Sequence, residues 1–240
     1  MPSDRGPGLH VAPGVHIPDD TELAPGVTIY SDVMIGRSVT IEQAAIIGRP
    51  QQIDARSKSP RRPTSEPTLI GDGCRIGSST VVVAGARIGH HTYLGDLVTV
   101  REGAVLGNEV MIGRGCAVTH STEIGNRVRI QNDTLVGAFT VIEDDAFVGA
   151  RVVFIGDPTM GRGGVDPKRN STIVRQRCRI GSCAIVMPPA ELGEEAVVGA
   201  ASLVRGDVAS RTVVVGSPAQ PIRMVAPDEL FEPDAMVSMQ

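Results

Sequence analysis

Between Arg87 and Ile130 the chain reads RIGHHTYLGDLVTVREGAVLGNEVMIGRGCAVTHSTEIGNRVRI, and an aliphatic residue occupies every sixth position. These positions are Ile88, Leu94, Val100, Leu106, Ile112, Val118, Ile124 and Ile130. Four places after each one stands a small or β-branched residue, as at Thr92, Val98, Ala104, Val110 and Cys116. Such a unit accommodates one short strand and a corner, so the pattern predicts a repeat with a six-residue period.

The six-residue spacing extends over most of residues 11–205 in three runs. The runs comprise Val11, Ile17, Leu23, Ile29, Ile35, Ile41, Ile47; Ile70, Ile76, Val82, Ile88, Leu94, Val100, Leu106, Ile112, Val118, Ile124, Ile130, Val136, Ile142, Val148; and Val174, Ile180, Val186, Leu192, Val198, Val204. Polar insertions rich in Pro and Gly, at about 49–68 and 155–173, separate them, and we interpret both as functional loops. We expect a tail over 1–10, a repeat domain over 11–220 and a cap over 221–240, with one helical turn around Asp228 to Phe231.

The composition favours a narrow molecule. The 240 residues include 28 Gly but only 2% aromatic residues and no Trp, so small and β-branched groups must fill the interior. The net charge of −4 and pI near 5.7 argue against nucleic-acid and polybasic membrane-binding proteins. Because no apolar run reaches membrane-spanning length and the first residues lack the apolar region of a signal peptide, we expect a cytoplasmic protein that does not interact with membranes.

The repeat resembles the hexapeptide repeat of the left-handed parallel β-helix. In such a solenoid the aliphatic residues point inward, Gly, Asn and Asp relieve the corners, and three units close one coil whose strands pair with those of the next coil. The resemblance implies an all-β fold of about nine coils, a left-handed sense and a homotrimer. The two insertions and the short C-terminal cap complete the predicted architecture.

The cysteines and most histidines fit a structural interpretation. Cys74, Cys116 and Cys178 occupy the small core position, whereas Cys183 lies at a corner. Some proteins of this fold bind zinc through three histidines, as gamma-type carbonic anhydrases do, but no histidine follows His120 in this chain. We therefore expect no metal.

The segment AVTHSTEIGN, residues 117–126, resembles the segment that carries the catalytic histidine in β-helix acyltransferases. The resemblance implies that His120 is a general base. In the family segment the residue after the histidine is usually Asp, Glu or Asn, whereas this chain has Ser121. Since three units form one coil, Glu102 and Ala138 should lie one coil below and above His120, so that Glu102 orients the imidazole and the Ala138 N–H stabilises an oxyanion. The alternative is a solvated corner histidine.

Further segments resemble sugar-nucleotide enzymes. Residues 128–150 are similar to nucleotide-linked amino-sugar N-acetyltransferases, which implies substrate roles for Asn132 and Asp133, although Gly137 and Ala138 replace the Tyr-Glu pair of that branch. The segment IGRPQQ, residues 47–52, resembles the substrate loop of UDP-N-acetylglucosamine acyltransferases and assigns Gln52 to substrate. A basic loop, Arg56, Lys58, Arg61 and Arg62, suits an anionic acceptor. Asn132 and Asp133 fit ordinary turn chemistry equally well.

The ending VVVGSPAQPIR, residues 213–223, resembles that of CoA-dependent β-helix acetyltransferases, with Arg205 and Arg223 as candidates for the CoA phosphate. A solvated surface position explains each arginine equally well. We expect an acyl-CoA-dependent acyltransferase, with acetyl-CoA as the preferred donor and an amino group of a nucleotide-linked or related sugar as acceptor. The alternatives are O-acyl transfer, an acyl-carrier-protein donor, a non-catalytic scaffold, and a zinc hydratase.

Overall fold

The computed structural model describes residues 7–54, 57, 66–163, 166 and 171–231. In this part of the chain, short strands form three sheets that enclose one core, and the fold is the predicted left-handed parallel β-helix. The chain visits the sheets in the order I, II, III, and each corner is named after the two sheets that it joins.

Sheets I and II contain only parallel strands. Sheet I consists of β1 (His10–Val11), β3 (Thr28–Ile29), β6 (Ile46–Arg49), β9 (Val81–Val83), β12 (Thr99–Val100), β15 (Ala117–Val118), β18 (Leu135–Val136), β21 (Val153–Phe154), β24 (Ile185–Val186) and β27 (Leu203–Val204). Sheet II consists of β4 (Val33–Ile35), β7 (Thr68–Ile70), β10 (Arg87–Ile88), β13 (Val105–Leu106), β16 (Glu123–Ile124), β19 (Val141–Ile142), β22 (Thr172–Val174) and β25 (Ala190–Leu192).

Sheet III ends in a hairpin that forms the cap. It consists of β2 (Glu22–Leu23), β5 (Thr40–Ile41), β8 (Arg75–Ile76), β11 (Tyr93–Leu94), β14 (Met111–Ile112), β17 (Arg129–Ile130), β20 (Phe147–Val148), β23 (Arg179–Ile180), β26 (Val197–Val198), β28 (Thr212–Gly216) and β29 (Ala219–Met224). Strand β29 is antiparallel to β28, and a 3-10 turn at Pro227–Glu229 follows it. None of the described residues forms a helix that could cross a membrane.

Backbone pairing fixes the coil at 18 residues, since Val100 pairs with Val118. Among the described residues sheet I has ten strands, so the solenoid has about ten coils, close to the nine predicted from the sequence. The aliphatic pattern did not include Phe154, because this core position holds an aromatic residue. The pattern also ends before the last coil, because that coil is two residues shorter. There Leu192 pairs with Val208, and Val198 pairs with Val214.

The core matches the repeat pattern. The aliphatic positions of the second and third runs are buried. The small core position holds Cys74, Cys116 and Cys178, which are buried as well. Burial raises the pKa of the Cys178 thiol to about 12, as expected of an inert packing residue. Phe154 is the largest fully buried side chain.

The II–III corners are tied together by side-chain ladders. At five successive corners, from Arg37 to Asn126, a backbone N–H donates to a side chain one coil further on, for example from Asn108 to Asn126 Oδ1 at 2.9 Å and from Asn126 to Asp144 Oδ1 at 2.8 Å. Close stacking leaves no room for a side chain beside the ladder, since a Cβ on Gly125 would lie 2.4 Å from Asp144 Oδ1. The ladder therefore explains why Gly and Asx residues recur at these corners.

Both insertions replace a corner between sheets I and II. The first leaves after β6 and returns at β7, and the second leaves after β21 and returns at β22. They lie on the I–II edge of the solenoid, five coils apart, and four coils lie between the coils that carry them, including that of His120. This edge is therefore unlike the other two.

Phe154 gives a test of the core. Replacing Phe154 with Ala leaves a cavity, so we expect the free energy of unfolding to fall by about 3–5 kcal/mol in denaturant titrations. The matched change Val153→Ala affects an outward-facing neighbour and should cost less than about 1 kcal/mol. Equal losses in the two variants would contradict the inward placement of Phe154.

Candidate functional site at the I–II corner

Three predicted site residues form one column along the I–II edge. The pairing of Val100 with Val118, and the bond from Thr119 N–H to the Val136 carbonyl at 3.1 Å, stack Glu102, His120 and Ala138 on successive coils. The predicted one-coil spacing is therefore present. What each residue contacts, however, depends on its neighbours.

His120 is buried, with only 5% of it exposed, and contacts Ser121 and Phe139. Its Nδ1 lies 3.1 Å from Ser121 Oγ, and its ring packs at 85° against that of Phe139, with 5.2 Å between the centroids. The solvated corner histidine considered from the sequence does not match this burial.

Glu102 contacts other partners than the expected imidazole. Its carboxylate accepts hydrogen bonds from Arg101 Nη2 at 2.7 Å, Arg101 Nε at 3.1 Å and Gln51 Nε2 at 2.6 Å, and 2% of the residue is exposed. The structure shows no hydrogen bond from this carboxylate to His120, because the guanidinium and the amide occupy its oxygens. The contact to the imidazole comes instead from Ser121, the residue that departs from the family pattern.

The Ala138 N–H has no acceptor in the described part of the chain. At the II–III corners an Asx or similar side chain one coil on accepts such a hydrogen bond, but here the equivalent residue is Gly156. The neighbouring Gly137 N–H makes no bond to sheet I either, and β18 pairs with β21 through Leu135 alone. Two consecutive N–H groups are thus left unpaired one coil above His120, as an oxyanion site requires.

The first insertion reaches the same column. Gln51 binds Glu102, and residues 51–54 line a shallow groove of about 610 Å³ that includes the predicted substrate residue Gln52. The basic residues Arg56, Lys58, Arg61 and Arg62 lie outside the described residues. Among the described residues of the second insertion, Asp157 closes a turn by accepting from Thr159 N–H at 2.8 Å and Gly161 N–H at 2.7 Å.

Asn132 and Asp133 lie on a different edge, the III–I corner. Asn132 Oδ1 accepts from Arg114 N–H at 3.0 Å, and Asp133 forms an ion pair with the Arg114 side chain at 3.2 Å. These contacts are those of a corner ladder. Within one chain the structure does not bring the two residues to His120, so their substrate role stays a prediction.

The two candidate phosphate contacts lie at the C-terminal end, beside a mostly apolar cavity of about 710 Å³. Arg205 is exposed there. Arg223 forms a two-pronged ion pair with Glu229, with Nη2 donating to Oε1 at 2.8 Å. A phosphate at Arg223 would therefore have to compete with this carboxylate.

The remaining histidines do not form a metal site in the region that the structure describes, where no cluster of three His, Cys, Asp or Glu side chains has suitable geometry. His90 Nδ1 accepts a hydrogen bond from Asp72 N–H at 3.0 Å and so takes the place of an Asx residue in the II–III ladder. His90 thus has a structural role at its corner.

The sequence interpretation missed Phe139, Gln51 and Arg101 as neighbours of the column. Phe139 could have been found from the sequence, because counting 18 residues from Ser121 places it one coil above. Gln51 was not, since its position depends on the path of the first insertion.

Comparisons agree with this fold. The model of a family described as the hexapeptide repeat of succinyl-transferase matches residues 67–95 and 172–204. A Schizosaccharomyces pombe protein ascribed an acetyltransferase activity is 46% identical over 46 residues, which are 19% of this chain and only 22% of that protein's length. The hexapeptide repeat predicted from the sequence is thus matched by a family model over two segments of the chain, while the chain spans only about a fifth of the length of the curated relative.

Solved structures of similar fold cover most of the chain. The UDP-N-acetylglucosamine acyltransferase of Campylobacter jejuni is 18% identical, with a TM-score of 0.53 over 96% of this chain and 79% of its own. The Arabidopsis enzyme of the same name is 17% identical, with a TM-score of 0.51 over 91% of this chain and 73% of its own. At these identities the likeness shows the fold.

The Arg223–Glu229 pair gives a pH prediction. The Arg223 guanidinium, together with the Ala226 N–H, lowers the pKa of Glu229 from 4.5 to about 2. The stabilisation from this pair is therefore complete above about pH 4.5 and is lost as the pH falls towards 2. In Arg223→Gln, NMR titration of the Glu229 carboxyl carbon should show its pKa returning towards 4.5. An unchanged midpoint would contradict the ion pair.

Proposed function

We propose that the chain is an acyl-CoA-dependent acyltransferase that acylates an amino group of a nucleotide-linked or related sugar. The observation that carries the proposal is that a buried histidine, His120, lies one coil below an N–H group, that of Ala138, which has no acceptor among the described residues. A base and an oxyanion donor on the same edge are the two groups that acyl transfer from a thioester needs.

The chemistry follows from these two groups. The neutral amine attacks the thioester carbon, and the carbonyl oxygen becomes an oxyanion that accepts a hydrogen bond from Ala138 N–H. His120 takes the proton that the nitrogen releases. When the tetrahedral intermediate collapses, the C–S bond breaks and the imidazolium returns the proton to the thiolate, which gives the amide and CoA thiol.

Ser121 sets the tautomer of the base in this scheme. When Nδ1–H donates to Ser121 Oγ at 3.1 Å, the lone pair is on Nε2, which then accepts the proton of the substrate. Glu102 contributes at a distance. Its bonds to Arg101 and Gln51 join the first insertion to the coil below His120, so we assign it to the placement of that loop.

The donor and acceptor are supported by different parts of the chain. The similarity to a protein ascribed acetyltransferase activity favours acetyl-CoA, and the apolar cavity beside Arg205 provides space for part of it. The fold shared with UDP-N-acetylglucosamine acyltransferases, together with the groove at Gln52, favours a sugar nucleotide. An acyl-carrier-protein donor is the second candidate, because the segment at residues 47–52, which leads into this groove, resembles the substrate loop of UDP-N-acetylglucosamine acyltransferases.

Sheet I provides the surface for the proposed homotrimer. The outward residue before each of its core positions is uncharged or a histidine: His10, Thr28, Ile46, Val81, Thr99, Ala117, Leu135, Val153, Ile185 and Leu203. Sheet II presents Arg87, Glu123 and Glu191 at equivalent positions, and sheet III presents Arg75, Arg129 and Arg179. Since interface cores are depleted in charge, sheet I suits contact with other copies and would place each His120 edge beside a neighbour.

Calorimetric titration of the wild type with acetyl-CoA and with CoA tests the donor. We expect micromolar binding near one site per chain. A folded protein that binds neither overturns the acyl-CoA assignment, and titration with acylated carrier protein then separates the second candidate from a scaffold that binds no donor.

The base is tested by substitution. With acetyl-CoA and a panel of amino-sugar nucleotides, His120→Ala should lower kcat by at least about 100-fold because proton transfer is lost. The control His91→Ala removes an exposed corner histidine and should leave kcat within about twofold of wild type. Equal activities of wild type and His120→Ala would contradict the proposal.

The trimer is tested with two residues of matched exposure, Leu135 at 38% on sheet I and Val105 at 39% on sheet II. Leu135→Glu places a charge in the proposed interface and should shift the sedimentation velocity from trimer to monomer. Val105→Glu should leave the trimer intact. Dissociation by Val105→Glu alone would assign the interface to sheet II.

A further inference from the structure

Phe139 occupies an unusual place in the I–II edge. It is the third residue after Val136, and the equivalent residues one and two coils below are Ser121 and Gly103. Its φ is +62°, in the left-handed region that a bulky side chain rarely adopts. A glycine or a small polar residue would fit this corner with less strain, so the aromatic ring needs a reason other than the turn.

The ring contacts His120 directly. The two ring centroids are 5.2 Å apart and the planes are at 85°, which is a favourable edge-to-face geometry. Ser121 Oγ contacts Nδ1 of the same imidazole at 3.1 Å. The contact with Ser121 thus acts along the edge of the imidazole, and the contact with Phe139 fixes the tilt of its plane.

The position of Phe139 is itself fixed by the coil. Thr140 N–H donates to the Gly137 carbonyl at 3.4 Å and closes the turn, while the Thr140 residue is buried, with 1% exposed. The ring is therefore attached to a short, anchored turn whose Ala138 N–H is the proposed oxyanion donor. One turn presents both the donor and the aromatic support of the base.

We propose that Phe139 is a positioning residue that holds the His120 imidazole at a fixed tilt relative to the Ala138 N–H and shields it from water. The catalytic consequence of this inference rests on the proposed function. The contact between Phe139 and His120 is independent of that function. Loss of the ring should impair proton transfer in the bound complex more than binding of the donor, so kcat should change and KM for acetyl-CoA should not.

The test compares Phe139→Gly with Phe139→Tyr, and with Leu97→Gly as a matched control. Leu97 is another large residue at positive φ, +60°, on the III–I corner and away from His120. Glycine relieves the left-handed backbone in both variants, so the thermal midpoints should stay close to that of wild type. Phe139→Tyr keeps the ring.

Two readouts are used. The first is the rate at which diethylpyrocarbonate modifies His120, followed on its peptide by mass spectrometry, which needs no substrate. Phe139→Gly should raise this rate several-fold, and Phe139→Tyr and Leu97→Gly should not. The second is kcat with acetyl-CoA and the amino-sugar nucleotide accepted by the wild type, which should fall about 10- to 100-fold in Phe139→Gly alone, with KM for acetyl-CoA within about twofold.

An unchanged modification rate in Phe139→Gly overturns the inference, and so does an unchanged kcat when His120→Ala abolishes activity. A parallel loss of kcat and thermal midpoint in Phe139→Gly and Leu97→Gly would show a corner effect and also overturn it. If His120→Ala retains full activity, the proposed function fails, and the modification rate still decides whether Phe139 shields the imidazole.

Discussion

Hydrogen bonding between successive coils, at a register of 18 residues, is the constraint on which the rest of this structure depends. A two- or three-residue strand cannot be stable alone, and each is held by backbone bonds to the coils before and after it. The register also aligns side chains, because residues one coil apart must stack. The columns of aliphatic residues in the core and the ladders of Asn and Asp at the corners are both consequences of it.

The candidate site arises where this stacking is incomplete. On the II–III edge an Asx residue satisfies the N–H group one coil earlier, and the corner is closed. On the I–II edge the corresponding residues are Glu102, His120, Ala138 and Gly156, which form no such ladder. Among the described residues the N–H groups of Gly137 and Ala138 have no acceptor, and both insertions leave from this edge. A regular scaffold thus concentrates its irregularity, and its chemistry, along one edge.

Stacking also explains why single residues could be predicted better than their interactions. The position of Ala138 above His120 follows from counting, since the pairing of β15 with β18 is part of the repeat. The partner of Glu102 does not follow from counting, because several donors compete for the same carboxylate. Arg101, its neighbour in the chain, and Gln51, from the first insertion, both bind this carboxylate. The contact to the imidazole Nδ1 is therefore made by Ser121.

The sequence alone determined the class of fold, the inward face, the structural role of the buried cysteines and the location of His120 on a corner, because a period of six residues leaves few alternative ways to bury its aliphatic positions. It did not determine the number of coils, since Phe154 and the shortened last coil break the period without breaking the stack. Only the tertiary structure decided that both insertions share the edge of His120, that Phe139 packs against its ring and that Glu102 binds the first insertion. The path of the insertions and the competition of several donors for one carboxylate decide the first and the last of these features, and no local pattern encodes either. The place of Phe139 one coil above Ser121 follows from counting, but the packing of its ring against the imidazole depends on how the two side chains are oriented.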